Sequence, residues 1–310
     1  MKAPILVVGA TGVVGRGVVE AAVDTGRPVI AVAPDASALE NLHAAYPDAD
    51  ITPLTGTVAS EADAAQLADR VQALRRPLAG VVTAIGGIAL RGRLLDQSVE
   101  ALAHKIDEDL LPQLAAARHL LPLLANGNRG GSYVLIGDPG SEHPWAGYGH
   151  RSITAAALRM LACVLHDEAR GIGVRVQLLA PDAPVCADPH RAHECPQRPT
   201  ALAIGRRAVT LIERADPMAP ASAVVPWSAR AKPGTKGERG RPDLTLDSLQ
   251  AAASSVPVAA SHTDAIAHSQ APDSQVTDSD ASLLPARCLQ DVRKLLETFN
   301  SKKPHKEQNP

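Results

Sequence analysis

Aromatic side chains are almost missing from this chain, with 1 Phe, 2 Trp and 3 Tyr in 310 residues. That leaves few flat surfaces on which bases or sugars could stack and weighs against single-stranded nucleic-acid binding. An excess of charge of one sign is missing too: 31 Lys and Arg face 33 Asp and Glu, a net charge of -2. With no basic cluster in the first 200 residues, there is no electrostatic footprint for a phosphate backbone. Only 4 cysteines occur, none in close pairs, which excludes a disulfide framework and points to a reducing compartment. Long apolar runs are also lacking. The stretch behind Met1-Lys2-Ala3-Pro4 stops at Gly9, short of a signal-peptide core, and no segment approaches the ~18 apolar residues of a membrane span. The expectation is a soluble cytoplasmic protein with neither nucleic acid nor membrane as partner.

The first feature present is a glycine turn. Gly9-Ala10-Thr11-Gly12-Val13-Val14-Gly15 follows the apolar run Ile5-Leu6-Val7-Val8, so a strand passes through a glycine-rich turn into a helix starting near Val13. A dinucleotide pyrophosphate needs a sharp turn out of a strand, backbone close enough to touch phosphate, and free N–H groups at a helix start. Gly9, Gly12 and Gly15 supply these, with Thr11, Val13 and Val14 lending backbone, and Arg16 stands where it could reach a phosphate. Strand before and helix after is the context that gives the pattern meaning.

Apolar and amphipathic stretches alternate to about residue 215. Strands are expected at residues 5–8, 29–33, 51–54, 78–85, 132–137 and 174–180. Such alternation implies right-handed crossovers and an α/β, Rossmann-type doubly wound parallel sheet with helices on both faces, here over residues 1–215. Two helical stretches, 98–125 and 152–170, carry apolar stripes: Ile106, Leu110, Leu114, Ala117, Leu121 and Leu124 in the first, Ile153, Ala157, Met160, Leu161, Val164 and Leu165 in the second. Both are expected to face the sheet, and Leu111, Leu120 and Leu123 widen the first enough for a contact with a second copy. Past residue 215 the prolines at 217, 220, 226, 233 and 242 break the pattern. Residues 216–282 read as a disordered linker rich in Pro, Ala and Ser. Residues 283–300 could form an amphipathic helix on Leu284, Cys288, Val292, Leu295, Leu296 and Phe299, and 301–310 a disordered tail.

With these elements placed, residues 4 to about 190 resemble the short-chain dehydrogenase/reductase family. The glycine spacing matches, as does Tyr148 within Trp145-Ala146-Gly147-Tyr148-Gly149-His150-Arg151-Ser152. Leu178-Leu179-Ala180-Pro181-Asp182 is similar to the family's strand and Pro-Gly turn beside the nicotinamide, with Asp182 at the glycine and Val185 near the carboxamide contact. The resemblance implies an oxidoreductase using NADP or NAD on a carbonyl or alcohol substrate, with Tyr148 exchanging the proton. It also exposes an incomplete catalytic tetrad. The lysine position holds Ser152, the serine position Asp138 with Ser141 as a displaced substitute, and the asparagine position falls at or beside Asp109. After the fourth strand, Thr83-Ala84-Ile85-Gly86-Gly87 keeps a glycine turn at Gly86 without the family's amides. Arg151, three residues after Tyr148, is the expected substitute cation. The alternative is a non-catalytic NAD(P)-binding protein with a redox-sensing or regulatory role.

At the end of the second strand, Asp35 is placed either to take ribose hydroxyls or only to cap the next helix. Arg16 tilts cofactor choice toward NADP. Cys186, His190, His193 and Cys195 lie within ten residues, but their spacing fits no standard structural zinc motif, and no metal is expected. His119 and His166 read as solvated or capping.

Overall fold

The computed structural model describes residues 2–87, 90–125, 131–186, 198–213 and 222–228. Seven parallel strands form one sheet in the order β3-β2-β1-β4-β5-β6-β7: β1 Ile5–Val8, β2 Val29–Ala33, β3 Ile51–Thr55, β4 Gly80–Thr83, β5 Ser132–Ile136, β6 Arg175–Pro181 and β7 Val224–Trp227. The order reverses between β1 and β4, which is where doubly wound sheets open a crevice at the carboxyl ends of their strands. The central strands are buried on both faces and are built mostly of Val, Ile, Leu and Ala, as parallel strands under helices must be. One face is covered by α3 Glu61–Ala73, α5 Leu111–Ala125 and α6 Gly149–Ala169, the other by α1 Val13–Asp24, α2 Ala36–Ala44 and α7 Ala201–Ile212. α4 Val99–Asp109 precedes α5. α1 and α7 cross at backbone distance: a Cβ on Gly17 would strike the Ala201 carbonyl, and one on Gly205 the Gly17 carbonyl.

Three expectations are corrected. The stretch 98–125 is two helices broken at Leu110, because Pro112 in the first turn of α5 has no N–H to continue the ladder from α4. The apolar stripes do not all face the sheet. In α6 the buried line is Ala155, Leu158, Ala162, Leu165 and Ala169, whose small members let the helix lie close, while Ile153, Met160 and Val164 point outward. In α5, Leu120 lies in the core and Leu111 and Leu114 are exposed. The third correction is β7, which falls inside the stretch expected to be disordered. It is only four residues long and contains Pro226, so no window average finds it, and a proline is tolerated there because the strand lies at the sheet edge. Leu178 N–H donates to Ala223 O at 2.8 Å and Asp182 N–H to Trp227 O at 3.0 Å. Apart from 222–228, residues 216–282, and all of 283–300 and 301–310, lie outside the described residues.

Candidate functional site

The helix starts set the frame. Side chains cap α2 (Asp35), α3 (Ser60), α4 (Ser98) and α7 (Thr200), whereas α1, entered at Gly12, and α6, entered at Tyr148, have no side-chain cap. The first turn of α1 also carries no acidic residue, so its N–H groups and positive dipole end are open to an outside anion.

The glycine turn is built by exclusion of side chains. Gly9 sits at φ +82°, and a Cβ there would fall on the Ala84 carbonyl; a Cβ on Gly15 would fall on Gly9 O. Gly12 N–H donates to Gly9 O at 3.1 Å, and a Cβ on Gly12 would meet only that oxygen, at 3.3 Å. Gly9 and Gly15 are therefore demanded by the fold, while Gly12 keeps open the exposed side of the turn. Thr11, Gly12, Val13 and Val14 all reach the surface, and exposed Arg16 ties Nε to Thr11 O at 2.9 Å. Asp35 caps α2, accepting from Ala38 N at 3.1 Å.

Beside this turn, the loop after β4 is clamped from the α4–α5 junction. Asp109 Oδ1 accepts from Gly87 N at 2.7 Å. Lys105 reaches Glu108 Oε2 at 2.9 Å and Asp109 Oδ2 at 3.1 Å with its side chain 2% exposed. Burial alone would lower the Lys105 ammonium, but the hydrogen bonds and charges of Glu108 and Asp109 outweigh it and hold the group above its usual value. Gln113, fully buried, accepts from Thr83 Oγ1 at 2.7 Å and donates to Ile85 O at 3.3 Å. Tyr133 lies buried beside Thr83, and burial pushes its phenol far above the ordinary range. Gly86 has open space where a Cβ would stand. Sequence reasoning named neither Lys105 nor Gln113. The available signal was the four-residue spacing Ala101, Lys105, Asp109, which puts a cation on the inward face of α4.

At the start of α6, the structure brings together Asp138, Trp145, Tyr148 and Arg151. The Tyr148 ring stacks on Trp145 with centroids 4.2 Å apart and planes at 27°. Arg151 pairs with Asp138, and its Cζ lies 5.9 Å from the Trp145 ring centre. Its charge is thus shared with a carboxylate rather than reserved for Tyr148. Ser152 is buried, and its Oγ accepts from Trp145 N at 2.9 Å. Gly140 packs so tightly over it that a Cβ there would stand 2.8 Å from Ser152 Oγ. The position where the resemblance expects a lysine is closed by local packing. His150, given no role in the sequence reading, is buried with Nε2 lacking a hydrogen-bond partner among the described residues.

Ser141 is placed elsewhere. With Glu142, His143, Arg159, Asp182 and Arg198 it lines a cavity of about 460 Å³ that Trp145 also borders and Tyr148 does not. Arg159 pairs with Glu142 there at 2.8 Å. Val185 is half-buried against the α7 side of the sheet. Beyond it, Cys186 N–H donates to Pro199 O at 2.8 Å and Cys186 bridges to Thr200; His190, His193 and Cys195 lie outside the described residues. His166 is a correction: instead of facing solvent it is buried, its Nδ1 2.7 Å from Val176 O. His119 lies 2.7 Å from Glu61. No described helix is long and apolar enough to cross a membrane.

The short chain dehydrogenase family model matches residues 3–186. No curated protein matches the chain. Among solved structures, a short-chain type dehydrogenase/reductase from Mycobacterium ulcerans superposes with a TM-score of 0.64 at 22% identity, over 72% of this chain and 87% of that one. A short-chain dehydrogenase from Streptomyces avermitilis gives 0.61 at 24%, over 73% and 89%. An NADPH-bound short chain oxidoreductase from Pseudomonas aeruginosa PAO1, described as containing an atypical catalytic center, gives 0.64 at 16%, over 75% and 97%. At these identities the likeness is one of fold.

Proposed function

Because the chain belongs to the short chain dehydrogenase family, we propose that it is an NAD(P)-dependent oxidoreductase acting on a carbonyl or alcohol substrate. The observation that carries this reading is the uncapped, acid-free start of α1 behind a turn whose glycines leave room for a pyrophosphate. Bound there, a reduced nicotinamide would supply hydride to a carbonyl carbon. Tyr148 is the group assigned to protonate the carbonyl oxygen, its ring held in orientation by Trp145. Asp138 and Arg151, as a nearly neutral pair beside that stack, set the local charge. Gly86 and Val185 are assigned to the cofactor walls. Exposed Arg16 beside the turn, and Asp35 engaged in capping, favour NADP. Titration of NADPH and NADH into the chain, followed by cofactor oxidation over a panel of carbonyls, tests the reading directly.

One observation favours the alternative, a protein that binds the dinucleotide without turning it over. Ser152 occupies the lysine position and is spent on Trp145 N, and Arg151 is spent on Asp138. Tight dinucleotide binding with no turnover above background on any carbonyl would select this second reading. A homo-oligomer through the 98–125 and 152–170 helices is also proposed, since Leu111 (48%), Leu114 (44%), Met160 (65%) and Val164 (45%) stand exposed there. Light scattering on wild type and Met160→Glu checks it: a dimer that dissociates in the variant is the expected outcome.

A further inference from the structure

Among the described Lys, Arg, Asp and Glu side chains, Lys105 alone is fully buried. An ammonium taken out of water is retained only where its partners and place offset the cost. Here the partners are Glu108 and Asp109, and the place is the loop after β4. The fit is reciprocal. A Cβ on Gly87 would lie 2.8 Å from Lys105 Nζ, 2.6 Å from Glu108 Oε2 and 3.2 Å from Asp109 Oδ1, so the lysine end fills the space a side chain at 87 would take. Asp109 Oδ1 accepts both from Lys105 Nζ at 3.2 Å and from Gly87 N–H at 2.7 Å, so the lysine and the loop share one oxygen.

That loop touches the glycine turn. Ala84 N–H donates to Val8 O at 2.9 Å, and the Ala84 carbonyl occupies the spot where a Cβ on Gly9 would stand. A shift of residues 84–87 therefore moves the wall against which Gly9 is folded. Gln113 fixes the near end of the loop at Thr83 and Ile85, and the Lys105–Asp109 pair fixes its far end at Gly87.

We infer that Lys105 is a positioning residue for dinucleotide binding, acting through Asp109 and Gly87 on the loop that backs the glycine turn. The inference rests on the dinucleotide-binding reading above. It concerns the binding step, and Lys105 is assigned no contact with the reacting atoms.

The test is calorimetric titration of NADPH and NADH into the full chain with thermal melting alongside. Lys105→Met keeps side-chain length but leaves two carboxylates against Gly87. Affinity should fall roughly tenfold or more. Adding Asp109→Asn removes the more buried of the two unpaired charges and leaves that of Glu108, which is more open to solvent. It keeps an oxygen for Gly87 N–H and should recover most of the affinity, which a general loss of stability would not do. Gly87→Ala should weaken binding in the wild-type background and have little further effect with Lys105→Ala and Glu108→Ala combined, where the two nearest side-chain ends are gone. Unchanged affinity in Lys105→Met, additive losses with Gly87→Ala, or no recovery on adding Asp109→Asn would each overturn the inference. Should Lys105→Met not fold, Gly87→Ala decides alone, and wild-type affinity there overturns it. No binding by the wild-type chain removes the reading of the site and the inference with it; binding with Lys105→Met unaffected removes the inference alone.

Discussion

The turn after β1 and the entrance to α6 lie at the same end of one sheet, yet they are made of different material. The first is made of backbone: bare N–H groups, a glycine at positive φ, and spaces where a Cβ would collide. The second is made of side chains that hold one another: Asp138 on Arg151, Tyr148 on Trp145, and Ser152 on Trp145 N–H. A backbone site survives change in every side chain except the few that must be absent. A side-chain site is rewritten when one member changes, and here Gly140 and Trp145 have closed around Ser152 where the family resemblance expects a lysine.

The contrast is broken most severely at the turn itself. Gly15→Val would drive a side chain into Gly9 O, costing about 3 kcal/mol or more, and should leave little folded protein by circular dichroism. Gly12→Val, at ordinary φ and with only a 3.3 Å contact, should melt near wild type and bind no dinucleotide. Equal damage from both would mean that the turn is structural only.

Next in size is Tyr148→Phe, which removes one hydroxyl from a ring that keeps its stacking partner. Turnover on any carbonyl found active should fall about a thousandfold while dinucleotide affinity stays. Retained turnover would move the proton donor elsewhere, with buried His150 the first position to examine.

Ser152→Lys puts the family's cation back and should fail to help. The position is buried under Gly140, so the change should cost about 3 kcal/mol and lower the Tm by roughly 8 °C, without raising turnover. A stable, faster variant would show that the side-chain site had been misread.

The smallest effects separate the two members of the charge pair. Arg151→Ala leaves Asp138 as a lone anion beside the Tyr148 stack, and Asp138→Asn leaves Arg151 as a lone cation. The two should therefore change the reduction rate in opposite directions, the first slowing it and the second speeding it, each by less than about tenfold because both groups are partly open to solvent. Changes of the same sign would dissociate the pair from the reaction.

The same division explains what was legible in the sequence. Strands β1, β2, β4, β5 and β6 stand out because central parallel strands must be apolar on both faces, and the glycine turn because its glycines are demanded one by one. β7 was hidden by its length and Pro226. The sheet-facing line of α6 was hidden because alanines bury as well as leucines where helices lie close, so the larger residues drew the eye to the wrong face. Tyr148 is visible as a letter, but its partners are not. That Arg151 serves Asp138, or that Lys105 fills the space beside Gly87, depends on which elements meet in space. A spacing of three or four residues along one helix does not carry that information.

The bond from Cys186 N–H to Pro199 O, with the neighbouring Cys186 to Thr200 bridge, ties together two points of chain on either side of the residues between them. Both ends of that length of chain are anchored on finished structure, Cys186 just past β6 and Thr200 as the cap of α7, so a change of length there is an insertion between fixed points. Closure entropy rises only with the logarithm of length, so doubling such an insertion costs about 0.6 kcal/mol. A longer or shorter sequence between the two anchors would therefore leave the sheet and the glycine turn nearly as stable as before.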